Sequence, residues 1–493
     1  MQVRDRLLLI GLFLVLSSSI CVAQEPGGWQ YRSEFVDVGV YLSSGINIIK
    51  ERSDAILDLA IANVSVIPHD SERQKVLNID PLPIPTKKGE AYEFTWHQPK
   101  TDDLSYSIGA RVRVYNTYVK VPKKIGFPIV NLPPEILLFT RPTRNINSED
   151  DDIVLVASKL AEGEDDMYVV VFKMAEWTKE NIEYNLSTLT IEASQSASWV
   201  LRNEQGVCDE LTSLFIALVR SVGIPARFVS GLAYTDSPDF PEKWGGHGWA
   251  EVYFPGVGWI PWDVTYGQFG YVDASHINLK ESLDSDEPAT VYVWQGRGVE
   301  AEAKTMKLEG ELLHIFGKTK DQLSINVSMQ YNSVGLGSYN LVRADVVNLE
   351  DSYVSEMIQL APTENIEIIS PRLRNIYLEP KKTKAVFWII KVNKTLDADY
   401  MYTFPILAVT SRNVSSRASF VSIDKESVFT QSQMQRVIDA HEQEKSTTSA
   451  RLLIRCGADK PYYYGYEDPK IECGVKNVGS IGIEGLRVCL EET

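Results

Sequence analysis

Residues 206–227, GVCDELTSLFIALVRSVGIPAR, constrain the fold more than any other stretch of the chain. Leu211, Leu214, Phe215, Leu218, Val219 and Val222 fall at i, i+3, i+4, i+7, i+8 and i+11, one unbroken apolar stripe that predicts a buried helix. Asp209 and Glu210 in the first turn, Arg220 in the last, and Gly223 followed by Pro225 mark its ends. Cys208 then stands at the helix N-terminus and off the stripe, where a small core cysteine would not naturally sit. Free N–H groups and the positive dipole end at that position predict a thiol with a lowered pKa.

Downstream, HGWAEVYF (247–254) and WIPWDVT (259–265) flank PGVG, the pattern of a β-hairpin with His247 opening the first strand and Asp263 closing the second. A nucleophilic thiol needs a base for its proton, and that imidazole needs an acceptor on its other nitrogen. Cys208, His247 and Asp263 supply these roles in order. Side-chain alternation adds a geometric condition. His247 and Asp263 share a hairpin face only if paired residue numbers sum to an even value. Pairing Phe254 with Trp259 gives 513 and separates them; pairing Tyr253 with Trp259 gives 512 and sets Asp263 opposite Trp249, diagonal to His247. An odd-length connection or a bulge near Phe254 is therefore expected, with the Cys208 sulfur at the other side of the imidazole. A zinc site built on Cys208 and His247 is the competing reading, but no CxxC, HxxxH or HExxH supplies further ligands. His276, in DASHINL, reads as a structural or rim residue rather than a second base. Trp199, Trp244 and Trp249 are candidates to line an acyl cleft, and the Cys208 backbone N–H is a candidate oxyanion donor.

These blocks resemble the three signature segments of the transglutaminase-like superfamily, and WTKENIEYN resembles that family's lead-in. The resemblance covers about residues 150 to 298, and the spacing agrees: 247 − 208 is 39 and 263 − 247 is 16. It implies a papain-like fold in which Cys208 is the nucleophile, His247 the base and Asp263 the orienting acid. The third block often reads Asp-Pro-Thr and here reads Asp263-Val264-Thr265, a change that removes no catalytic group. The β-type flanks are similar to those of exported archaeal and bacterial members.

At 493 residues, and about 150 residues per domain, the chain has room for roughly three domains. Short β-type runs from Trp29 to Thr140 predict an N-terminal β-sandwich; Asn145–Asp152 reads as a polar linker; helical periodicity follows at 153–160 and 169–177, with a further short helix around 190–203. After Val299 strand patterns return as an immunoglobulin-like sandwich, then a polar helix at 431–449 and a β-like tail. The expected class is α+β: a papain-like core flanked by β-sandwich domains, divided as 1–23 signal peptide, 24–145 N-terminal β domain, 146–298 catalytic domain, 299–430 immunoglobulin-like domain, and 431–493 helical linker and tail.

The leader MQVRDR, an apolar run from Leu7 to Leu16, and SSSICVAQ read as a secretory signal ending at Ala23, with lipidation of Cys21 disfavoured by Ile20. The mature chain is expected to be secreted or held at the cell surface without a transmembrane helix, and sequons at Asn63, Asn185, Asn326, Asn393 and Asn413 are compatible with export. A net charge of −17 without any Lys/Arg block argues against nucleic acid or anionic lipid as the main partner. If the chain holds a disulfide, Cys456 and Cys473 are the expected pair, with Cys208 left free. No cofactor is required; the acidic stretch Glu149–Asp152 offers calcium its one opening. Two function classes follow. One is an exported thiol acyltransferase acting on protein or peptide amides through a Cys208 thioester, with hydrolysis by a peptidase or amidase favoured over amine cross-linking. The other is a surface adhesion or scaffold protein with an idle core, whose β domains bind a cell-surface partner.

Overall fold

The computed structural model describes residues 28–117, 119–188, 194–238, 240–446, 452–458 and 470–477. The expected signal segment with Cys21 and Ala23, and the last cysteine, Cys489, lie outside the described residues.

Four helices and one sheet build the middle of the chain: α1 (Asp151–Ala161), α2 (Met167–Asn181), α3 (Ala197–Asn203) and α4 (Cys208–Ser221). Every residue of α4 from Glu210 to Arg220 is buried, beyond the single stripe that the periodicity predicts. The other three helices pack on α4 and the sheet covers its remaining side, so its polar positions also need partners. Thr212 donates to the Gly248 carbonyl at 3.1 Å, and Ser213 donates to the Asp209 carbonyl at 2.7 Å. Arg220 anchors the far end by donating to the carbonyls of Ala226, Leu283 and Arg141. Burial lowers that guanidinium to about 10.

The sheet comprises β1 (Ala226–Tyr234), β2 (Trp244–Phe254), β3 (Gly258–Asp263), β4 (Gln268–Phe269) and β5 (Ile277–Ser282), all antiparallel in the order β4-β3-β2-β1-β5. The hairpin β2–β3 pairs Tyr253 with Trp259 and Phe254 with Gly258. Its connection is Pro255–Val257, an odd number of residues with Gly256 at φ 75, and the pair numbers sum to 512. Continued one step past Ala250 and Trp262, that register places Asp263 opposite Trp249, on the His247 face.

Antiparallel sheets flank this core on both sides, making the whole a mixed α+β molecule rich in strands. On the N-terminal side, Phe35–Lys50 pairs with Asp103–Tyr115, and Ile56–Val64 pairs with Ala91–His97. On the C-terminal side, Tyr339–Asn348 pairs with Thr383–Val392, and Tyr402–Thr410 pairs with Ser415–Ser422. The expected division at 298/299 falls elsewhere. Thr290–Arg297 pairs with Ile56–Val64, while Val299–Ala303 and Lys307–Phe316 pair with Phe35–Lys50, so residues 290–316 close the N-terminal sheets. Alternation along a strand reveals that it pairs, not with what; partners more than 200 residues away leave no local signal. The supposed linker is likewise built in. Ile146 is fully buried, the Asn145 N–H donates to Asp284 at 2.9 Å, and the Asn145 carbonyl accepts from Ala197. Asp150 caps α1 and, with Asp152, pairs with Arg202. The tail carries a helix at Gln431–Ser446 and a hairpin, Leu452–Ala458 with Ile471–Asn477, bridged by a Cys456–Cys473 disulfide. Among the described residues no helix is long and apolar enough to cross a membrane.

Leu214, fully buried on α4, is the test of this architecture: Leu214→Ala should cost about 2–5 kcal/mol, seen as a clear fall in denaturation midpoint. A shift within error would mean that α4 is not the central packing element.

Candidate active site

Val207 precedes α4, and its N–H donates to the Glu210 carboxylate at 2.9 Å; the other Glu210 oxygen accepts from Gln195 at 3.0 Å. Glu210 is 2% exposed, so these bonds lock the first turn and fix where Cys208 begins it. The Cys208 thiol is free and half-buried. Around the sulfur lie the Asp209 carboxylate at 3.4 Å, the backbone N–H of Gly248 and the phenol of Tyr184. Gly248 follows His247 on β2, and a side chain there would collide with Phe228 and with Asp209 Oδ1, so a glycine is needed for strand and helix start to approach this closely.

His247 Nε2 donates to Asp263 Oδ2 at 2.7 Å, which leaves Nδ1 as the nitrogen open to a substrate or thiol. Asp263 is wholly buried, and both its oxygens are committed: Oδ1 accepts from the N–H groups of Thr265 at 2.8 Å and Tyr266 at 2.9 Å, while Oδ2 also accepts from His276 Nε2 at 3.0 Å. Burial alone would raise this carboxyl; the two imidazoles overcome it and hold Asp263 well below the usual carboxylate range. Tyr266 stacks on His247 with centroids 4.6 Å apart, and Trp249 lies beneath both histidines. A cavity of about 470 Å³ opens beside Tyr266, lined among others by Tyr31, Tyr234, Asp236 and Ser411.

The structure thus brings His247 to Asp263 as expected and seats Cys208 at the helix start next to the strand that carries His247. The thiol's electrostatics run against the expectation. Burial and then the Asp209 carboxylate push the Cys208 thiol well up, with the Gly248 N–H opposing them. The dipole end is present, but a charge 3.4 Å away outweighs partial charges on backbone amides. Of the two readings of His276, structural or rim, the structure takes the first: the residue is 2% exposed and bonded to Asp263. Trp244 packs with Trp29 and Tyr234 in the N-terminal core, and Trp199 lies against the main apolar cluster. Tyr184 lies in the WTKENIEYN segment and Asp209 in the GVCDEL block, yet neither segment assigns them a role; Tyr266 and Asp273 lie beyond the matched blocks. His247, Asp263 and His276 offer three metal-ligand atoms within 4.8 Å of one another, from positions too scattered for a spacing rule, yet the donors and acceptors there already satisfy each other.

Residues 155–264 match a family model described as the transglutaminase-like superfamily. An uncharacterized protein of Bacillus subtilis (strain 168), YebA, is 27% identical over 143 residues, a match spanning 26% of this chain and 19% of that protein. Among solved structures, a proposed cysteine protease from Cytophaga hutchinsonii aligns over 58% of this chain and 95% of its own, with 19% identity and a TM-score of 0.42. Red sea bream transglutaminase aligns over 81% and 79%, with 10% identity and a TM-score of 0.24.

If Asp209 raises the thiol, Asp209→Asn should move the pH midpoint of Cys208 alkylation downward. An unchanged or higher midpoint in stopped-flow alkylation would remove Asp209 from the account.

Proposed function

The chain carries a transglutaminase-like superfamily core at residues 155–264, and on that premise we propose that it is a cysteine-dependent acyl-transfer enzyme acting on peptide or side-chain amides. The observation that carries the reading is the 2.7 Å bond from His247 Nε2 to a fully buried Asp263, made on the strand whose next residue, Gly248, directs its N–H at the Cys208 sulfur. Cys208 is the nucleophile, His247 the base and Asp263 its orienting acceptor.

With the thiol pushed up, Cys208 rests protonated, and its proton leaves as sulfur attacks the carbonyl carbon. His247 Nδ1 takes that proton and returns it to the departing nitrogen as the C–N bond breaks, leaving a Cys208 thioester. Water then attacks, His247 again takes a proton, and collapse releases the acid and restores the thiol. Hydrolysis is favoured over transfer to an amine because water is abundant and no dedicated amine site is assigned. The Cys208 backbone N–H and the Tyr184 phenol are the donors proposed for the carbonyl oxygen during attack. In this reading the flanking sheets are immunoglobulin-like sandwiches, the protein is exported to the cell surface or beyond, and the Cys456–Cys473 bond is compatible with such a compartment.

A thiol-directed activity probe tests the reading. Cys208 should label, His247→Ala should abolish labelling, and Cys208→Ala should abolish turnover while lowering the denaturation midpoint less than Leu214→Ala does. Activity should be bell-shaped in pH, since only the singly protonated Cys208–His247 pair can act, and its two limbs belong to the pair. Screening for ammonia or peptide release against amine incorporation decides the acyl acceptor. A folded protein whose Cys208 labels equally with and without His247 would point instead to an idle core.

A further inference from the structure

Asp263 has a second imidazole partner. His276 Nε2 lies 3.0 Å from Asp263 Oδ2, and His276 Nδ1 lies 3.1 Å from Asp273 Oδ1. A ring nitrogen facing a carboxylate oxygen must carry a proton unless the carboxyl does. Neither carboxyl is free to. Asp273 Oδ1 already accepts from the N–H and hydroxyl of Ser275, Asp273 Oδ2 accepts from Gln268 Nε2 at 2.8 Å, and Asp263 Oδ1 accepts two backbone N–H groups. Both nitrogens of His276 are therefore donors, which makes the ring an imidazolium.

We propose that His276 is a positioning residue for the reaction: a buried cation that shares Asp263 Oδ2 with His247, holds that carboxylate in place and moderates the negative charge seen by the catalytic imidazole. The proposal rests on the acyl-transfer reading. Charge counting gives its content. Asp263, Asp273 and His276 together carry −1, so the group becomes neutral when His247 takes the thiol proton; without the His276 charge it would start at −2 and hold that proton too tightly to return it to the leaving group. No proton moves to or from His276 in the cycle. Its proton is held to about 9 by Asp273 and Asp263 against the effect of burial, in agreement with the donor count. The other titratable groups facing this unit are Asp209, Cys208, Tyr184 and Tyr266 on the thiol side, Tyr31 near Asp273, Lys179 of α2, whose ammonium donates to the Thr265 carbonyl at 2.9 Å, Arg73, which donates to the Val272 and Asp273 carbonyls at 2.6 and 3.1 Å, and the Arg227, Glu251 and Glu281 side chains that share a cavity with His276. Of the cations, burial lowers Lys179, and Arg73 spends its donors on backbone carbonyls and Arg227 on Glu251, so neither arginine replaces the His276 charge on Asp263.

Histidine-labelled NMR on the full chain as Cys208→Ala reads the charges without requiring turnover. The His276 ring should stay doubly protonated through neutral pH and titrate near 9. In His276→Gln, which keeps a donor toward Asp263 but no charge, the His247 midpoint should rise by about one pH unit, a tenfold gain in proton affinity. Asp273→Asn serves as a second variant and should let His276 lose its proton at lower pH. With Cys208 restored, His276→Gln should shift the pH limbs upward with KM unchanged, whereas His276→Leu should lower kcat more than tenfold. A His276 ring that is neutral at pH 7, or a His247 midpoint unmoved by His276→Gln, overturns the proposal even if the enzyme is active. The coupled titration without turnover of any substrate would instead leave this charge arrangement standing and overturn the acyl-transfer reading.

Discussion

A carboxylate cannot be taken out of water without several kcal/mol of penalty unless every lone pair is met, and Asp263 is taken out of water completely. Its four donors come from separate places: two N–H groups from the turn after β3, one imidazole from β2 and one from the head of β5. Each donor must arrive within about 0.3 Å of its place for the set to close. The hairpin register, the turn at 264–266 and the approach of the 273–276 segment are all tied to this one charge. Removing any donor leaves the rest with a buried, under-solvated anion, so the site and the local fold stand or fall together.

Rigidity elsewhere follows from the same demand. The helix that presents Cys208 is enclosed on every side, its start held by Glu210 and its end by Arg220. Gly231 on the central strand pair leaves space that any side chain would fill against Trp249 and the Ile277 carbonyl, which allows β1, β2 and β5 to close up beneath the histidines. The N-terminal sheets then share a core with this assembly, since Leu232, Trp244, Ile277 and Leu279 pack among Val36, Val40 and Phe94. The flank is part of the packing that holds β5, and so His276, in position.

What could be read from sequence was what local rules govern. The α4 stripe is a period of 3.6 residues, and the hairpin register follows from parity: 512 keeps His247 and Asp263 on one face and 513 does not. Cys208, His247 and Asp263 lie inside such elements. His276, Tyr184 and the return of residues 290–316 to the N-terminal sheets depend on contacts between segments far apart in the chain, for which periodicity carries no information. Asn145–Asp152 was opaque for a different reason: short polar side chains suit a solvated linker and a set of buried turn bonds equally well.

The thiol shows why position alone does not set reactivity. A helix N-terminus contributes about half a unit charge spread over several amides, whereas Asp209 places a carboxylate 3.4 Å from the sulfur. The same residue that complements the dipole in the first turn therefore opposes thiolate formation one position before it. On the other side of the imidazole the sign is reversed, because His276 subtracts from the charge of Asp263. Burial and Asp209 together therefore favour the protonated thiol at rest. A thiol held protonated in this way resists casual alkylation and oxidation and needs a base at hand before it can attack, so its reactivity is set by its neighbours and not by the helix end alone.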